Sequence, residues 1–222
     1  MLAWPEMTTG SDDSSTVAIV VAHPDDETLW AGGALLMHPQ WRCKVFTLCR
    51  AGDPDRSPKF HRALARLGAS GAMADLDDRP EQTPLADALV RQTVSTLIAG
   101  SGFDLLLTHS PHGEYTRHRR HGEVFAAVRE LWEAGAIDAG ELWLFAYEDG
   151  DGAYFPRART DAGITLALPQ SVWDEKYRII HEVYGYAPDS WEAQTTPKVE
   201  AFRRFSSPAE LNMWLRDNEV QR

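Results

Sequence analysis

The chain has 222 residues, of which 43% are hydrophobic and 25% are charged, as is usual for one globular domain. Its formal net charge of -11 argues against a general electrostatic attraction to nucleic acid or to an anionic membrane surface. No stretch of the sequence approaches the roughly 18 consecutive apolar residues that indicate a membrane span.

The N-terminal segment, residues 1–15, is polar and acidic and lacks the basic and apolar regions of a secretory signal. We therefore expect a flexible tail, followed by a single domain over residues 16–222. Cys43 and Cys49 lie on one predicted strand, too far apart along it to bond each other. Two buried free thiols are typical of a reducing compartment, so we expect a cytoplasmic protein.

Strand and helix patterns alternate over the first two-thirds of the chain. The predicted strands span residues 17–22, 44–48, 71–76, 103–108 and 142–147. The predicted helices span residues 27–37, 59–67, 85–98 and 122–132. This alternation predicts a single-domain α/β fold, a Rossmann-like sandwich with a mostly parallel sheet flanked by helices on both faces.

The pattern weakens beyond Asp149. A short strand is predicted over residues 164–168, and helices are predicted over 172–183 and 208–215. We find no internal repeat, low-complexity tract or interdomain linker in this part of the chain.

The run from His23 to Glu27, with the sequence His-Pro-Asp-Asp-Glu, directly follows the first predicted strand. It therefore lies at the carboxyl end of that strand, where open α/β sheets bind their ligands. Acidic residues at a helix N-terminus can simply favour the helix dipole. Ionisable side chains crowded into one turn are also explained if a cation neutralises them.

A second cluster follows the fourth predicted strand and contains His109, His112, His118 and His121. The three-residue spacing of His118 and His121 places both imidazoles on one face of a first helical turn. Because loops after parallel strands emerge at the same sheet edge, His23, Asp26 and His121 can converge. Two imidazoles and a carboxylate form a facial set that is typical of catalytic Zn²⁺.

These residues resemble a known family. His23 to Glu27, the following Gly32-Gly33, and the later run from Gly113 to His121 are similar to motifs of the PIG-L/LmbE-like zinc-dependent de-N-acetylases. The resemblance covers about the first two-thirds of the chain. It implies a metal-dependent hydrolase that removes acetyl groups from N-acetylglucosamine units of small molecules or glycoconjugates.

The resemblance also implies roles for individual residues. His23, Asp26 and His121 would hold Zn²⁺, although Fe²⁺ or another divalent ion can occupy similar sites. Asp25 would be the general base. His118 would be the imidazolium that supports the oxyanion or protonates the leaving amine.

Two further residues match the family less specifically. Arg56 precedes Leu67-Gly68 at the spacing of an arginine that contacts sugar hydroxyls, and Asp78 (or Asp77) follows the third strand as an acidic counterpart does. The resemblance therefore implies that Arg56 and Asp78 bind the substrate.

The chain also departs from the family pattern. Arg119 and Arg120 stand where the family usually has Pro-Asp, and this removes an aspartate that could orient an imidazole. The glutamate that usually follows the Arg56 position is also absent.

Several alternatives stay open at this point. Four aromatic residues could each stack on a sugar or pack in the core: Tyr115, Tyr147, Tyr154 and Trp191. The arginines beside His118 could hold a phosphate, which would suit a metal-dependent phosphoesterase. The chain could also be a non-catalytic α/β binding module. The sequence does not indicate the carrier of the acetamide or the oligomeric state.

Overall fold

The computed structural model describes residues 14–115 and 118–218. Most of the predicted tail, residues 1–15, lies outside these ranges. The strands are β1 (Thr16–Val21), β2 (Arg42–Cys49), β3 (Ser70–Leu76), β4 (Gly102–Thr108), β5 (Asp138–Phe145), β6 (Tyr147–Glu148), β7 (Arg157–Ala158), β8 (Ile164–Ala167) and β9 (Val199–Phe205). The helices are α1 (Asp26–Met37), α2 (Arg56–Leu67), α3 (Asp87–Ile98), α4 (Arg119–Glu133), α5 (Gln170–Arg178), α6 (Trp191–Thr195) and α7 (Pro208–Asp217).

The described strands form a seven-stranded sheet in the order β3-β2-β1-β4-β5-β9-β8, and β6 pairs with β7 in a separate hairpin. The five strands from β3 to β5 run parallel to one another. The last two, β9 and β8, are antiparallel additions at one edge. The predicted α/β sandwich with a mostly parallel sheet is confirmed.

The core has two layers because side chains alternate across the sheet. Val17, Ile19 and Val21 of β1 pack into the layer that contains apolar residues of α1, α2 and the π-helical turn after α5. Ala18 and Val20 pack into the opposite layer, with α3, α4 and α7. The continuous apolar run of β1 therefore reflects burial on both faces, which is typical of a central parallel strand.

The C-terminal third differs most from its prediction. The predicted helix over residues 172–183 is α5, followed by a π-helical turn at Ile179–Val183. Strand β9 and helix α6 were not predicted. Cys43 and Cys49 are both free and buried, as expected. In the described part of the chain, no helix has both the length and the apolar composition needed to cross a lipid bilayer.

Candidate metal centre and active site

The turn after β1 is strained at Asp25. Its backbone has φ +125° and ψ -28°, a region that side-chain-bearing residues seldom occupy. The strain, on the order of 1–3 kcal/mol, persists because neighbouring groups hold the turn. The amide of Asp25 donates to Glu27 Oε2 at 3.0 Å, and its carbonyl accepts from the amides of Thr28 and Leu29 at 3.0 and 2.8 Å. This geometry places Asp25 and Asp26 in different surroundings.

Glu114, from the loop after β4, holds two buried imidazoles. Its Oε2 accepts from His109 Nδ1 at 2.8 Å and from His121 Nδ1 at 2.6 Å. Burial by itself would raise the pKa of Glu114, but the two imidazoles lower it to about 2, so the carboxylate is ionised. Since the His121 Nδ1 atom carries the donated hydrogen, Nε2 keeps a lone pair.

The Nε2 atom of His121 is buried and has no hydrogen-bond partner among the described residues. It lies 3.5 Å from Asp26 Oδ1. A buried nitrogen lone pair beside a carboxylate oxygen is unfavourable unless a cation or a donor joins them. This orphaned atom is the feature of the site that most directly fits a bound metal ion.

His23 reaches the same carboxylate from the other side. Its Nδ1 lies 3.2 Å from Asp26 Oδ2, and its Nε2 lies 3.0 Å from Asp78 Oδ1. Burial opposes the charged imidazole, but hydrogen bonds with Asp26 and Asp78 override it and raise the pKa of His23 to about 10. A carboxylate on the far nitrogen is the usual way in which a metal-binding histidine is oriented.

The geometry brings together the three predicted metal ligands, His23, Asp26 and His121. Two sets of metal-competent side chains share His121: one with His23 and His118, the other with Asp26 and His109. Both nitrogens of His109 are already used, since Nε2 accepts from the Ala22 amide at 3.0 Å and Nδ1 contacts Glu114. Both nitrogens of His23 also have carboxylate partners, Asp26 and Asp78, so the set of His23, Asp26 and His121 stays a prediction.

His118 lies at the N-cap of α4, and its ring centroid is 4.5 Å from that of His23. Its Nδ1 is buried without a partner among the described residues. Burial, together with the charges of His121 and His23, lowers the pKa of His118 to about 3. The role of His118 as an imidazolium stays a prediction, since burial and the neighbouring imidazoles oppose the charged ring in the metal-free site.

The pKa values of Asp25 and Asp26 are shifted in opposite directions. Burial and the charge of Asp26 raise the pKa of Asp25 to about 8. Burial would also raise the pKa of Asp26, but His121, His109 and His23 hold it well below its usual value. Adjacent carboxyl groups whose pKa values are pushed apart are typical of sites that assign them separate roles.

Arg56 and Asp78, the predicted substrate-binding residues, both line a cavity of about 250 Å³ beside this cluster. Arg56 donates to the hydroxyl of Tyr186 at 2.6 Å, and the same nitrogen lies 3.6 Å from Asp25 Oδ2. Asp78 contacts His23 and also accepts from Arg50 Nε at 2.8 Å. Both residues therefore have protein partners in the free site.

Asp77, the alternative to Asp78, does not line this cavity and pairs with Arg79. Its backbone carbonyl accepts from Arg120 Nε at 2.7 Å, and the carbonyl of Thr83 accepts from Arg120 Nη2 at 2.8 Å. Arg120 is almost fully buried, whereas Arg119 is exposed. The arginine that replaces the family aspartate thus fastens the loop that carries Asp78.

The four candidate aromatic residues have different positions. Tyr115 and Trp191 line the cavity, and their ring centroids are 4.5 Å apart. Tyr147 is buried and donates to the backbone carbonyl of Trp30 at 3.1 Å. Tyr154 is exposed on the loop between β6 and β7 and does not line the cavity. Of these four residues, Tyr115 and Trp191 are therefore the two that a ligand in this cavity can contact.

The C-terminal third contributes residues to the site that the sequence did not predict. Tyr186 donates a hydrogen bond to Asp25 Oδ2, and Tyr184 donates to Glu27 Oε1 at 2.6 Å. Glu192 also lines the cavity. The only available signal was the spacing in Tyr184-Gly185-Tyr186, which does not indicate by itself where the two hydroxyls point.

Solved structures with the same fold include enzymes of more than one kind. N,N'-diacetylchitobiose deacetylase from Pyrococcus horikoshii is 12% identical, with coverage of 87% of this chain and 85% of that chain and a TM-score of 0.65. The A40926 pseudoaglycone deacetylase Dbv21 is 17% identical, with coverage of 88% and 99% and a TM-score of 0.60. GalB, the 4-carboxy-2-hydroxymuconate hydratase from Pseudomonas putida KT2440, is 16% identical, with coverage of 86% and 95% and a TM-score of 0.58.

No protein-family model and no curated protein matches the chain. At identities of 12–17%, the likeness to these structures establishes the fold. Because the same fold supports both deacetylases and a hydratase, the reaction has to be argued from the site.

Proposed function

We propose that the protein is a metal-dependent amidohydrolase of the PIG-L/LmbE-like family, which removes an acetyl group from an N-acetylglucosamine-type sugar or glycoconjugate. The observation that carries this proposal is the unpaired, buried Nε2 of His121 facing Asp26, with a second carboxylate, Asp25, on the wall of the adjoining cavity. Proteins that share the fold are named as deacetylases of diacetylchitobiose and of the A40926 pseudoaglycone, which supports the choice of reaction.

In this proposal, His23, Asp26 and His121 hold the metal ion. A bound Zn²⁺ would lower the pKa of a coordinated water towards about 7 and polarise an acetamide carbonyl. Fe²⁺ also suits a set of two histidines and one carboxylate. Glu114 keeps the Nδ1 hydrogen of His121 in place, so that Nε2 faces the metal position.

Asp25 is the general base in this proposal. Its carboxylate lies on the cavity wall and is not needed for metal binding, so it can accept the proton of the attacking water and pass it to the leaving amine. A cation bound beside it favours the ionised form of Asp25, against the effect of burial.

His118 supports the oxyanion in this proposal. Its ring borders the cavity, so an N–H of the imidazole can donate to the developing negative charge. Arg56 and Asp78 are proposed to contact sugar hydroxyls, which requires Arg56 to share its donors between Tyr186 and the substrate.

The positions of the arginines bear on the alternative activity, that of a metal-dependent phosphoesterase. A phosphoesterase needs cationic groups free to hold a phosphate. Arg120 is buried and bound to the carbonyls of Asp77 and Thr83, so it cannot play this part. Arg119 is exposed and does not line the cavity beside Asp25. Arg50 and Arg56 do line this cavity, but Arg50 already donates to Asp78 and Arg56 to the Tyr186 hydroxyl. We therefore favour the deacetylase, and we expect it to act in the cytoplasm.

The test is a comparison of substrates before and after metal removal. The protein is treated with a chelator, reconstituted with Zn²⁺ or Fe²⁺, and incubated with free N-acetylglucosamine, diacetylchitobiose and N-acetylglucosaminyl glycoconjugates. Acetate and free amine should appear in equal amounts, disappear on chelation and return with the metal. Turnover of p-nitrophenyl phosphate without acetate release would favour the phosphoesterase, and metal binding without any turnover would favour the binding module.

A further inference from the structure

We propose that Tyr186 is a positioning residue for Asp25: its hydroxyl holds one carboxylate oxygen and thereby directs the other towards the attacking water. This inference rests on the proposed function, because it assumes that Asp25 is the general base. It assigns a role in the reaction to the C-terminal third of the chain, which carries neither of the two sequence motifs.

The Tyr186 hydroxyl joins Asp25 to Arg56. It donates to Asp25 Oδ2 and accepts from Arg56 Nη1 at 2.6 Å. The Arg56 guanidinium lies over the Tyr186 ring, 4.7 Å from its centroid. Arg56 therefore fixes both the ring and the hydroxyl, and the hydroxyl in turn fixes the carboxylate.

The contact with Tyr186 engages one oxygen of the Asp25 carboxylate. Within residues 14–115 and 118–218, the polar contacts of the Asp25 carboxylate are made through Oδ2, with Tyr186 and Arg56. Oδ1 is thus left for the reaction. A carboxylate on a strained turn has rotational freedom about its side chain, and a fixed partner on one oxygen removes that freedom before the substrate binds.

Tyr186 is itself held in place by its neighbours. Gly185 has φ +82°, a conformation that favours glycine, and so allows the chain to turn between the two tyrosines. The backbone carbonyl of Tyr186 lies 2.7 Å from His181 Nδ1. Tyr184 donates to Glu27, whose other oxygen accepts from the Asp25 amide. One short segment therefore secures both the backbone and the side chain of Asp25.

The hydroxyl also keeps its proton. Burial and the neighbouring Asp25 carboxylate raise the pKa of Tyr186 well above its usual value. The raised pKa supports Tyr186 as a hydrogen-bond donor to Asp25, in agreement with the contact between the hydroxyl and Oδ2.

The test compares Tyr186→Phe with Tyr177→Phe, which removes the same hydroxyl from a ring that packs on Trp173 and does not line the cavity. Tyr186→Phe should lower kcat by about 10- to 100-fold, the effect of a hydrogen bond to a charged group. KM, zinc content and the thermal unfolding midpoint should stay near their wild-type values. Tyr177→Phe should leave kcat unchanged.

A double variant separates positioning from other roles. In the Asp25→Asn background, Tyr186→Phe should cause no further loss, because the oxygen that it positions no longer acts as a base. An unchanged kcat in Tyr186→Phe, a change confined to KM, or a further loss in the double variant would each overturn the inference. An increase in kcat would show instead that Tyr186 obstructs the site.

These outcomes differ from a failure of the proposed function. If wild-type protein with bound zinc releases no acetate from any of the glycoconjugates, the proposed function fails and this inference fails with it. If the wild type is active and Asp25→Asn is not, but Tyr186→Phe matches the wild type, only the inference fails.

Discussion

The parallel part of the sheet and the antiparallel segment after it contribute different groups to the cavity. The turn after β1 and the first turns of α1 and α4 supply the candidate ligands His23, Asp26 and His121, whose nitrogen and oxygen atoms face one another. The later segment supplies tyrosines, which bind Asp25 and Glu27. In the proposed reaction, the first region contributes the metal ligands and the general base, and the second contributes hydrogen bonds that hold them in position.

The antiparallel segment also binds α1 further along the helix. Glu200 of β9 accepts from the backbone amides of Gly33 and Ala34 at 2.6 and 2.7 Å, and from Lys176 Nζ at 2.7 Å. A side chain at Gly33 would collide with Leu168 and come within 2.9 Å of Glu200 Oε1. Since α1 begins at Asp26, this buried contact fixes the helix that carries a candidate ligand.

The largest effect on stability should come from Lys176→Met. Lys176 and Glu200 form an ion pair in which both side chains are fully buried, so the variant leaves a carboxylate without its cation. We expect a loss of about 3–5 kcal/mol in the free energy of unfolding, measured by urea denaturation. Lys198→Met, at an exposed position, is the control. Equal free energies of unfolding for the two variants would contradict the comparison between the two regions, because the buried ion pair of the C-terminal segment would then not stabilise the fold.

Glu114→Gln tests whether Glu114 orients His121 within the first region. Glu114 accepts from both His109 and His121, and loss of the charge should weaken zinc affinity about 10- to 100-fold, as measured by competition with a chromogenic chelator. Unchanged affinity would show that Glu114 does not orient His121.

The lowered pKa of Glu114 predicts that the free energy of unfolding of the metal-free protein depends on pH. The folded pKa of Glu114, about 2, lies below its ordinary value of 4.5. Its ionised form therefore stabilises the fold above pH 4.5, and this contribution is lost as the pH falls towards 2. The difference in unfolding free energy between the wild type and Glu114→Gln should shrink over that interval. A constant difference would contradict the assigned cause.

The smallest effect is expected from Arg120→Lys. The lysine keeps the positive charge but cannot reproduce the three-way contact with Asp77, Thr83 and Glu123. We expect a loss of about 1 kcal/mol in unfolding free energy. The exposed Arg119 provides the control: Arg119→Lys should have almost no effect. The reverse order would mean that Arg119, not Arg120, fastens the loop.

The sequence predicted the parallel part of the molecule well, because a buried parallel strand is a continuous apolar run and each such run alternates with a helical pattern. The meeting of His23, Asp26 and His121 followed from topology alone, since loops after parallel strands share one edge. The orienting role of Glu114 could not be read in this way, because it depends on which atoms its two oxygens reach.

The C-terminal third was harder for a physical reason. Strand β9 contains Glu200 and two arginines among its apolar residues, so it lacks the pattern of a buried strand. The burial of Glu200 makes sense only once Lys176 and the amides of α1 are near it. The same holds for Tyr186, whose partners lie 130 and 161 residues earlier in the chain.

The central claim is that the neighbouring carboxylates Asp25 and Asp26 do different work. The most direct measurement determines zinc content and acetate release for Asp25→Asn and Asp26→Asn in parallel with the wild type. We predict that Asp25→Asn retains wild-type zinc content but loses about 10²- to 10⁴-fold in turnover, whereas Asp26→Asn loses both zinc and turnover. Wild-type turnover in Asp25→Asn, or undiminished zinc binding in Asp26→Asn, would contradict the claim.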